Sequence, residues 1–243
     1  ADATTLTEAG YVGEDVESVL ERLMSLANYD IEVAQRGIVF IDEVDKKARK
    51  SESNTNTRDV SGEGVQQALL RLIEGTKTKV KVGSGKKYSE EYVEFDTSNV
   101  LFILSGAFVG IETIIEKRIK KNSNIGFGSK IINIEEREEL VQQVTASDVI
   151  QYGLIPELVG RLPVIATLEK LDEACLKNIL TAIKNNIISQ TEALLKIDEL
   201  DVVFTEGYLS DVAKLADRSK IGARSLKALV ENSVTSIMFR ASE

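Results

Sequence analysis

The chain has 243 residues, 43% hydrophobic and 28% charged, enough for one large core or two modest ones. Its 30 Lys and Arg against 39 Asp and Glu leave a net charge of −9, which speaks against a general nucleic-acid binder while leaving room for a local basic loop. No run of about 18 apolar residues exists to suggest a membrane span, and the lack of histidine removes the commonest general base and zinc ligand.

Any hydrolytic chemistry must therefore lean on carboxylates and basic residues. The one cysteine, Cys175, rules out an internal disulfide framework. It sits in an amphipathic pattern and is expected to be a small buried side chain. Ala1 to Thr5 shows neither the basic nor the apolar region of a signal peptide, and is expected to be the interior of a longer chain.

Val16, Val19, Leu20, Leu23, Leu26 and Ala27 recur at helical spacing and predict an amphipathic helix from about Glu14 to Ala34. Ile38 to Ile41 reads as a short buried strand, and Lys46 to Ser61 as a polar surface loop. A helix follows over Gly62 to Glu74, burying Val65, Leu69, Leu72 and Ile73. Lys77 to Tyr92 is lysine-rich, contains Gly83 and Gly85, and reads as an exposed hairpin or mobile loop. Val100 to Leu104 is a second buried strand. Short apolar strands separated by helices predict an α/β core with a parallel sheet.

A helix is predicted over Gly110 to Lys120. The Gly- and Asn-rich stretch Lys121 to Glu135 follows, with an apolar tip at Ile125, Gly126, Phe127 and Gly128. Val164 to Ala166 is a further strand candidate. Near Leu168 the composition shifts. Helical patterns then cover 173–196, 207–218 and 223–240, with a strand candidate at Val202 to Phe204. The chain thus divides into a large α/β region over 1–167 and a small α+β, mostly helical one over 168–243, with a hinge at the boundary.

Residues 37–46 read GIVFIDEVDK, an apolar strand ending in two adjacent carboxylates. Strand ends are where α/β sheets bind ligands. In a nucleotide hydrolase Asp42 would hold Mg²⁺ through water and Glu43 would orient or deprotonate the attacking water. The alternative is a solvated acidic turn, since Asp45 and Lys46 follow. Phosphoryl transfer also needs positive charge on its transition state. Arg161, in GLIPELVGRLP over 153–163, and Arg224, opening the last helix in IGAR over 221–224, are the candidates. Each reads equally as a surface cation or a structural ion pair.

These segments, together with DATTLTEAGYVGEDV over 2–16 and TRDVSGEGVQQALL over 57–70, make the chain resemble the ClpX family of AAA+ protein unfoldases, ATPase partners of ClpP-type peptidases. The match runs in order through essentially the whole chain, and the related HslU family fits less well. The resemblance implies an AAA+ P-loop ATPase core, truncated at its N-terminus and followed by the small domain, with ATP/ADP and Mg²⁺ as ligands. Asp42 and Glu43 match the Walker B pair, and Ser105 stands near the sensor-1 position. Arg161 matches the arginine finger that reaches a neighbouring subunit's nucleotide, a role that needs a ring, and the family forms homo-hexamers. Arg224 matches the sensor-2 arginine, which reads the nucleotide of its own subunit and ties it to the angle between domains.

Tyr11 and Val12, flanked by Gly10 and Gly13, match the principal pore loop that grips a translocating polypeptide. Without the family, Tyr11 is an ordinary turn aromatic. Arg58 in the Thr57 to Glu63 stretch matches a second pore loop; alternatively the stretch is a charged helix cap, with Ser61 capping. Ile125, Gly126 and Phe127 match the tripeptide loop that docks on the peptidase ring; taken alone they read equally as an anchor that orders on binding or as side chains tucked into the core. The implied partners are a ClpP-type peptidase, unfolded or tagged protein substrates and adaptors, with no nucleic acid and no membrane. The implied home is a bacterial cytoplasm, or alternatively a mitochondrial or plastid matrix. No peptidase triad is present without histidine, so proteolysis is assigned to the partner.

Two departures stand out. The family's pore-entrance Arg-Lys-His is here Lys86, Lys87 and Tyr88, which keeps two charges but loses arginine's bidentate fork. The phosphate-binding loop and the amino-terminal Zn²⁺ domain of the family precede the position of Ala1, so this stretch alone is expected to bind ATP poorly and hydrolyse none. The alternatives are a non-degradative disassembly chaperone or an inactive scaffold fragment. Neutralising Lys86 and Lys87 is expected to weaken engagement of acidic or carboxylate-bearing substrates, measured as binding against salt concentration. Engagement that ignores both the substitutions and the salt would overturn this.

Overall fold

Leu6–Thr7 (β1) lies parallel to Glu14–Asp15 (β2) and leads into Ser18–Leu26 (α1), whose buried face is Val19, Leu20 and Met24. The helix predicted over 14–34 breaks in the middle. Asn28 and Tyr29 take left-handed φ values of 52° and 62°, and the Asp30 carboxylate then accepts from the Glu32 and Val33 amides to start a fresh turn, Ile31–Ala34 (α2). Asparagine enters this region at little cost and aspartate is a strong N-cap, so two local preferences override continuous apolar spacing.

Ile38–Ile41 (β3) is followed by Glu63–Glu74 (α3), then by an antiparallel hairpin of Lys77–Val82 (β4) and Glu91–Asp96 (β5). Leu101–Leu104 (β6) returns to pair in parallel with β3, from Ile38 opposite Leu101 to Ile41 opposite Leu104. Both strands are expected to be buried, but only one face turns inward, and in β6 its residues, Phe102 and Leu104, are partly buried. Val39 and Ile41 are buried, whereas Ile38, Phe40, Leu101 and Ile103 are 61, 49, 55 and 41% exposed. The hairpin extends past Tyr92 to Asp96, and Val80 and Phe95 anchor it in the core. Thr97 secures its far end, its hydroxyl donating to the Leu72 carbonyl (2.8 Å) and accepting from the Thr76 amide (2.9 Å). The core gathers Leu6, Leu20, Met24, Ile41, Val65, Leu69, Leu72 and Phe95, each worth about 2 kcal/mol on burial.

Ile111–Asn122 (α4), Ala146–Tyr152 (α5) and Pro156–Gly160 (α6) complete this unit. Thr145 and Asp148 form a reciprocal capping box at the start of α5. The buried Asp148 carboxylate also takes the Arg118 Nε at 2.8 and 3.1 Å. Burial, the largest influence, pushes this carboxyl up, but the Arg118 guanidinium and the Thr145 hydroxyl and amide together hold it below the ordinary value. The expected strand at 164–166 does not form. Val164 and Ile165 are exposed, without a partner strand among the described residues.

The computed structural model describes residues 1–7, 14–49, 62–82, 91–122, 140–219 and 221–241. Ala1–Thr167 and Leu168–Glu243 form separate compact units. In the second, Glu173–Thr181 (α7), Ile187–Ile197 (α8), Glu206–Arg218 (α9) and Ser225–Ala241 (α10) surround Leu176, Leu180, Leu195, Val212, Leu226 and Val230. Asp172, Asn186 and Thr205 cap α7, α8 and α9 with their side chains. The helix predicted over 173–196 is two helices, divided where Asn185 takes a φ of 57° and Asn186 caps. Val202 to Phe204 is not a strand, although Val202 and Phe204 pack on the core. Cys175 is exposed rather than buried. The inward stripe of α7 is Leu176 and Leu180, and the preceding residue points elsewhere.

Replacing Arg118 with Met is expected to cost about 3 kcal/mol near neutral pH, because it strands a buried carboxylate. Since Asp148 titrates below its unfolded value, the pair's contribution is present above the ordinary carboxylate range and lost as pH falls through the depressed one. Denaturant melts should therefore show the deficit shrinking in acid. A deficit independent of pH would remove the ion pair as its cause.

Candidate active site

The parallel register brings the ends of β3 and β6 level, so the residues just beyond them, Asp42 and Ser105, emerge together. The Ser105 hydroxyl donates to Asp42 Oδ1 at 2.5 Å, and the Glu43 amide donates to the same oxygen at 2.8 Å. The main chain is fixed on both sides. Ser105 N donates to the Ile41 carbonyl (2.8 Å) and Val44 N to the Ser105 carbonyl (2.9 Å). On the other flank Asp42 N donates to the Ala1 carbonyl (2.9 Å) and Ala3 N to the Asp42 carbonyl (2.8 Å). Asp2 lies across from Asp42 in this bridge. The Thr4 hydroxyl and amide hold the Asp2 carboxyl below its ordinary value, against the opposing field of Asp42.

Glu43 has a φ of 58°, a left-handed conformation that costs a non-glycine residue about 1 kcal/mol or more. It turns the chain into a 3₁₀ turn over Val44–Lys47. Asp45 in that turn is buried, and neither of its carboxylate oxygens accepts a hydrogen bond among the described residues; Lys46 Nζ stands 3.7 Å away. A methyl group at Gly106 would lie 2.5 Å from Asp45 Oδ1, so any side chain there would force the Asp45 carboxylate to move. Burial, followed by the field of Asp45, pushes the Tyr152 phenol up. The Tyr152 ring meets Phe108 edge-on at 5.2 Å, and its hydroxyl donates to the Val109 carbonyl at 3.4 Å.

Asp42, Glu43 and Ser105 are thus brought together. Arg161, at the C-terminal cap of α6, is engaged by Glu74 of α3, with Nε at 3.1 Å and a terminal nitrogen at 3.0 Å from one carboxylate oxygen. Arg224 is exposed and belongs to the second unit, in a 3₁₀ turn over Gly222–Arg224 that precedes α10 rather than in the helix itself. Ser219 and Ser225 fasten that turn. The Gly222 amide donates to Ser219 Oγ (3.2 Å), and Ser225 Oγ donates to the Gly222 carbonyl (2.7 Å). Tyr11, Val12, Arg58, Lys86, Lys87, Ile125, Gly126 and Phe127 lie outside the described residues, as does Ser61.

Asp45, read from sequence as part of a possible solvated turn, is buried, and sequence reasoning gave no role to Gly106 or Gln66. Gln66 is completely buried on α3. Its signal was there: a polar residue among Val65, Leu69 and Leu70, where helical spacing asks for an apolar one. No group of three or more His, Cys, Asp or Glu among the described residues forms a metal cage. Asp42 with its hydroxyl neighbour is instead a hard-oxygen site of the kind that suits Mg²⁺, which takes one or two carboxylates and completes its shell with water and phosphate.

A family model for the AAA domain (Cdc48 subfamily) matches residues 1–165. The chain is also similar to the ATP-dependent Clp protease ATP-binding subunit ClpX of Treponema denticola, 48% identical over 244 residues that cover 99% of this chain. It spans 59% of that relative's length. The parallel α/β core with level strand ends and the separate, mostly helical unit agree with the AAA+ fold. The chain belongs to the AAA domain family, Cdc48 subfamily.

Proposed function

We propose that this chain is the motor portion of an ATP-driven protein unfoldase that feeds substrates to a ClpP-type peptidase. The observation that carries the reading is the Asp42 carboxylate, held by Ser105 at the open end of a parallel strand pair, in a chain 48% identical to a ClpX subunit. Asp42 is the residue to hold Mg²⁺, with Ser105 and the Glu43 amide fixing one of its oxygens. When bound, Mg²⁺ neutralises phosphate charge.

Glu43, next along the chain, orients and accepts a proton from the attacking water. Arg161 supplies positive charge to the nucleotide of a neighbouring subunit in a homo-hexameric ring, and Arg224 to the nucleotide of its own. To do so Arg161 must exchange Glu74 for phosphate, an exchange that a half-exposed pair permits at small cost. Tyr11 and Val12 grip the polypeptide, aided by Arg58, Lys86 and Lys87. Ile125, Gly126 and Phe127 dock the peptidase. ATP or ADP is the nucleotide, and a bacterial cytoplasm is the setting.

Glu43→Gln in the intact protein is expected to lower ATP turnover by about 10²-fold or more while leaving nucleotide binding within a few-fold. Turnover at the parental rate would remove Glu43 from the chemistry. Ser105→Ala, which frees Asp42 Oδ1 from one charge-assisted hydrogen bond, is expected to slow turnover about ten-fold. Steady-state kinetics showing no change would leave Ser105 a bystander.

A further inference from the structure

Gln66, Leu70 and Glu74 recur every four residues and share one face of α3. That face meets the segment leading to Arg161 at three points. At its start, Gln66 Oε1 accepts from the Ile155 amide at 2.7 Å, and Nε2 donates to the Gly153 carbonyl at 3.3 Å. In its middle, Leu70 packs on the buried Ile155 and Leu158. At its end, Glu74 holds Arg161. The same Gln66 Nε2 donates at 2.7 Å to the carbonyl of Lys47, the last residue of the 3₁₀ turn that follows Asp42 and Glu43.

Gly153 closes the arrangement. Its carbonyl also takes the Arg49 amide (2.9 Å), its φ is 130°, and a side chain there would sit 2.7 Å from the Arg49 carbonyl oxygen. A buried amide bonded at both ends to main-chain atoms has little freedom left, and removing it leaves those buried atoms unpaired. Geometry of this kind fixes spacing between backbone segments as well as stability.

We infer that Gln66 is a positioning residue for Arg161, joining the Gly153 to Arg161 segment to the carboxylate turn so that the two keep a fixed spacing. The inference rests on the reading that Arg161 serves the nucleotide of a neighbouring subunit. On that reading each subunit uses its own Asp42 and Glu43 but lends its Arg161. A subunit with a faulty Gln66 keeps working carboxylates and aims its arginine badly.

The test uses the intact, assembled protein and ATP. Gln66→Met, which keeps the volume and removes the hydrogen bonds, is expected to reduce kcat about ten- to hundred-fold, as small misplacements of a reacting group do. KM for ATP should change by no more than about two-fold, since the arginine acts in the transition state. Mixing Gln66→Met subunits with Glu43→Gln subunits should then restore turnover, because each faulty subunit gains a neighbour with a well-placed Arg161.

Arg161→Ala mixed with Glu43→Gln is the control. If it is rescued and Gln66→Met is not, Gln66 acts on its own subunit's site, and the inference is wrong while the reading of Arg161 stands. If Arg161→Ala is not rescued, the reading of Arg161 fails and takes the inference with it. Should thermal melts show that Gln66→Met does not fold, Gln66→Asn carries the same expectations, since it keeps the amide but is one methylene too short to span the gap.

Discussion

The parallel pairing of β3 with β6 sets Ile41 opposite Leu104, and the geometry of the site descends from that register. Side chains at matched positions of parallel strands emerge on the same side, so the next residues in each chain, Asp42 and Ser105, meet without a long search through loop conformations. The strand interiors contribute by being apolar on the buried face, where Val39 and Ile41 lock the register against the core. A shift of one residue in β3 would turn Ile38 and Phe40 inward, Val39 and Ile41 outward, and part Asp42 from its hydroxyl partner.

Around that fixed pair the structure departs from comfortable conformations. Glu43 is left-handed, and Phe108 on the facing turn also has a positive φ, of 45°. Asp45 is buried against Gly106 without a hydrogen-bond donor among the described residues. Such departures persist only where neighbouring contacts over-determine them. Here the contacts are the main-chain bonds from Ala3, Val44 and Ser105, and the apolar packing of Val44 and Ile41 beneath them. The polar discomfort lies beside the carboxylates, and the apolar core that compensates lies one layer below.

Much of this was legible in the sequence, and unevenly so. The apolar strand followed by Asp42 and Glu43, the return of a second strand at Leu101, and the amphipathic α3 all follow from periodicity, which is a local property. Asp30 and Asn186 broke predicted helices through side-chain caps, a signal that apolar spacing ignores. Strand candidates at 164–166 and 202–204 failed because short β-branched runs say nothing about whether a pairing partner exists. The exposure of Cys175 turned on which residues of a helix face inward, Leu176 and Leu180, and amphipathic spacing leaves that offset loose. Asp42 and Glu43 could be singled out because consecutive carboxylates after apolar residues are chemically conspicuous. Gln66 was conspicuous only as a polar residue on an apolar face; its role was not legible, because its partners are 19, 87 and 89 residues away and are reached only after folding.

Those partners are all main-chain groups: the Lys47 and Gly153 carbonyls and the Ile155 amide. Every residue type but proline supplies the same carbonyl and amide. No substitution at 47 or 155 can therefore compensate for a change at 66 by offering a complementary side chain. A search for pairs of positions that change together across related sequences would be blind to this junction, however strong it is. Its trace would be separate restrictions, glutamine at 66 and glycine at 153, with no pair of positions varying together.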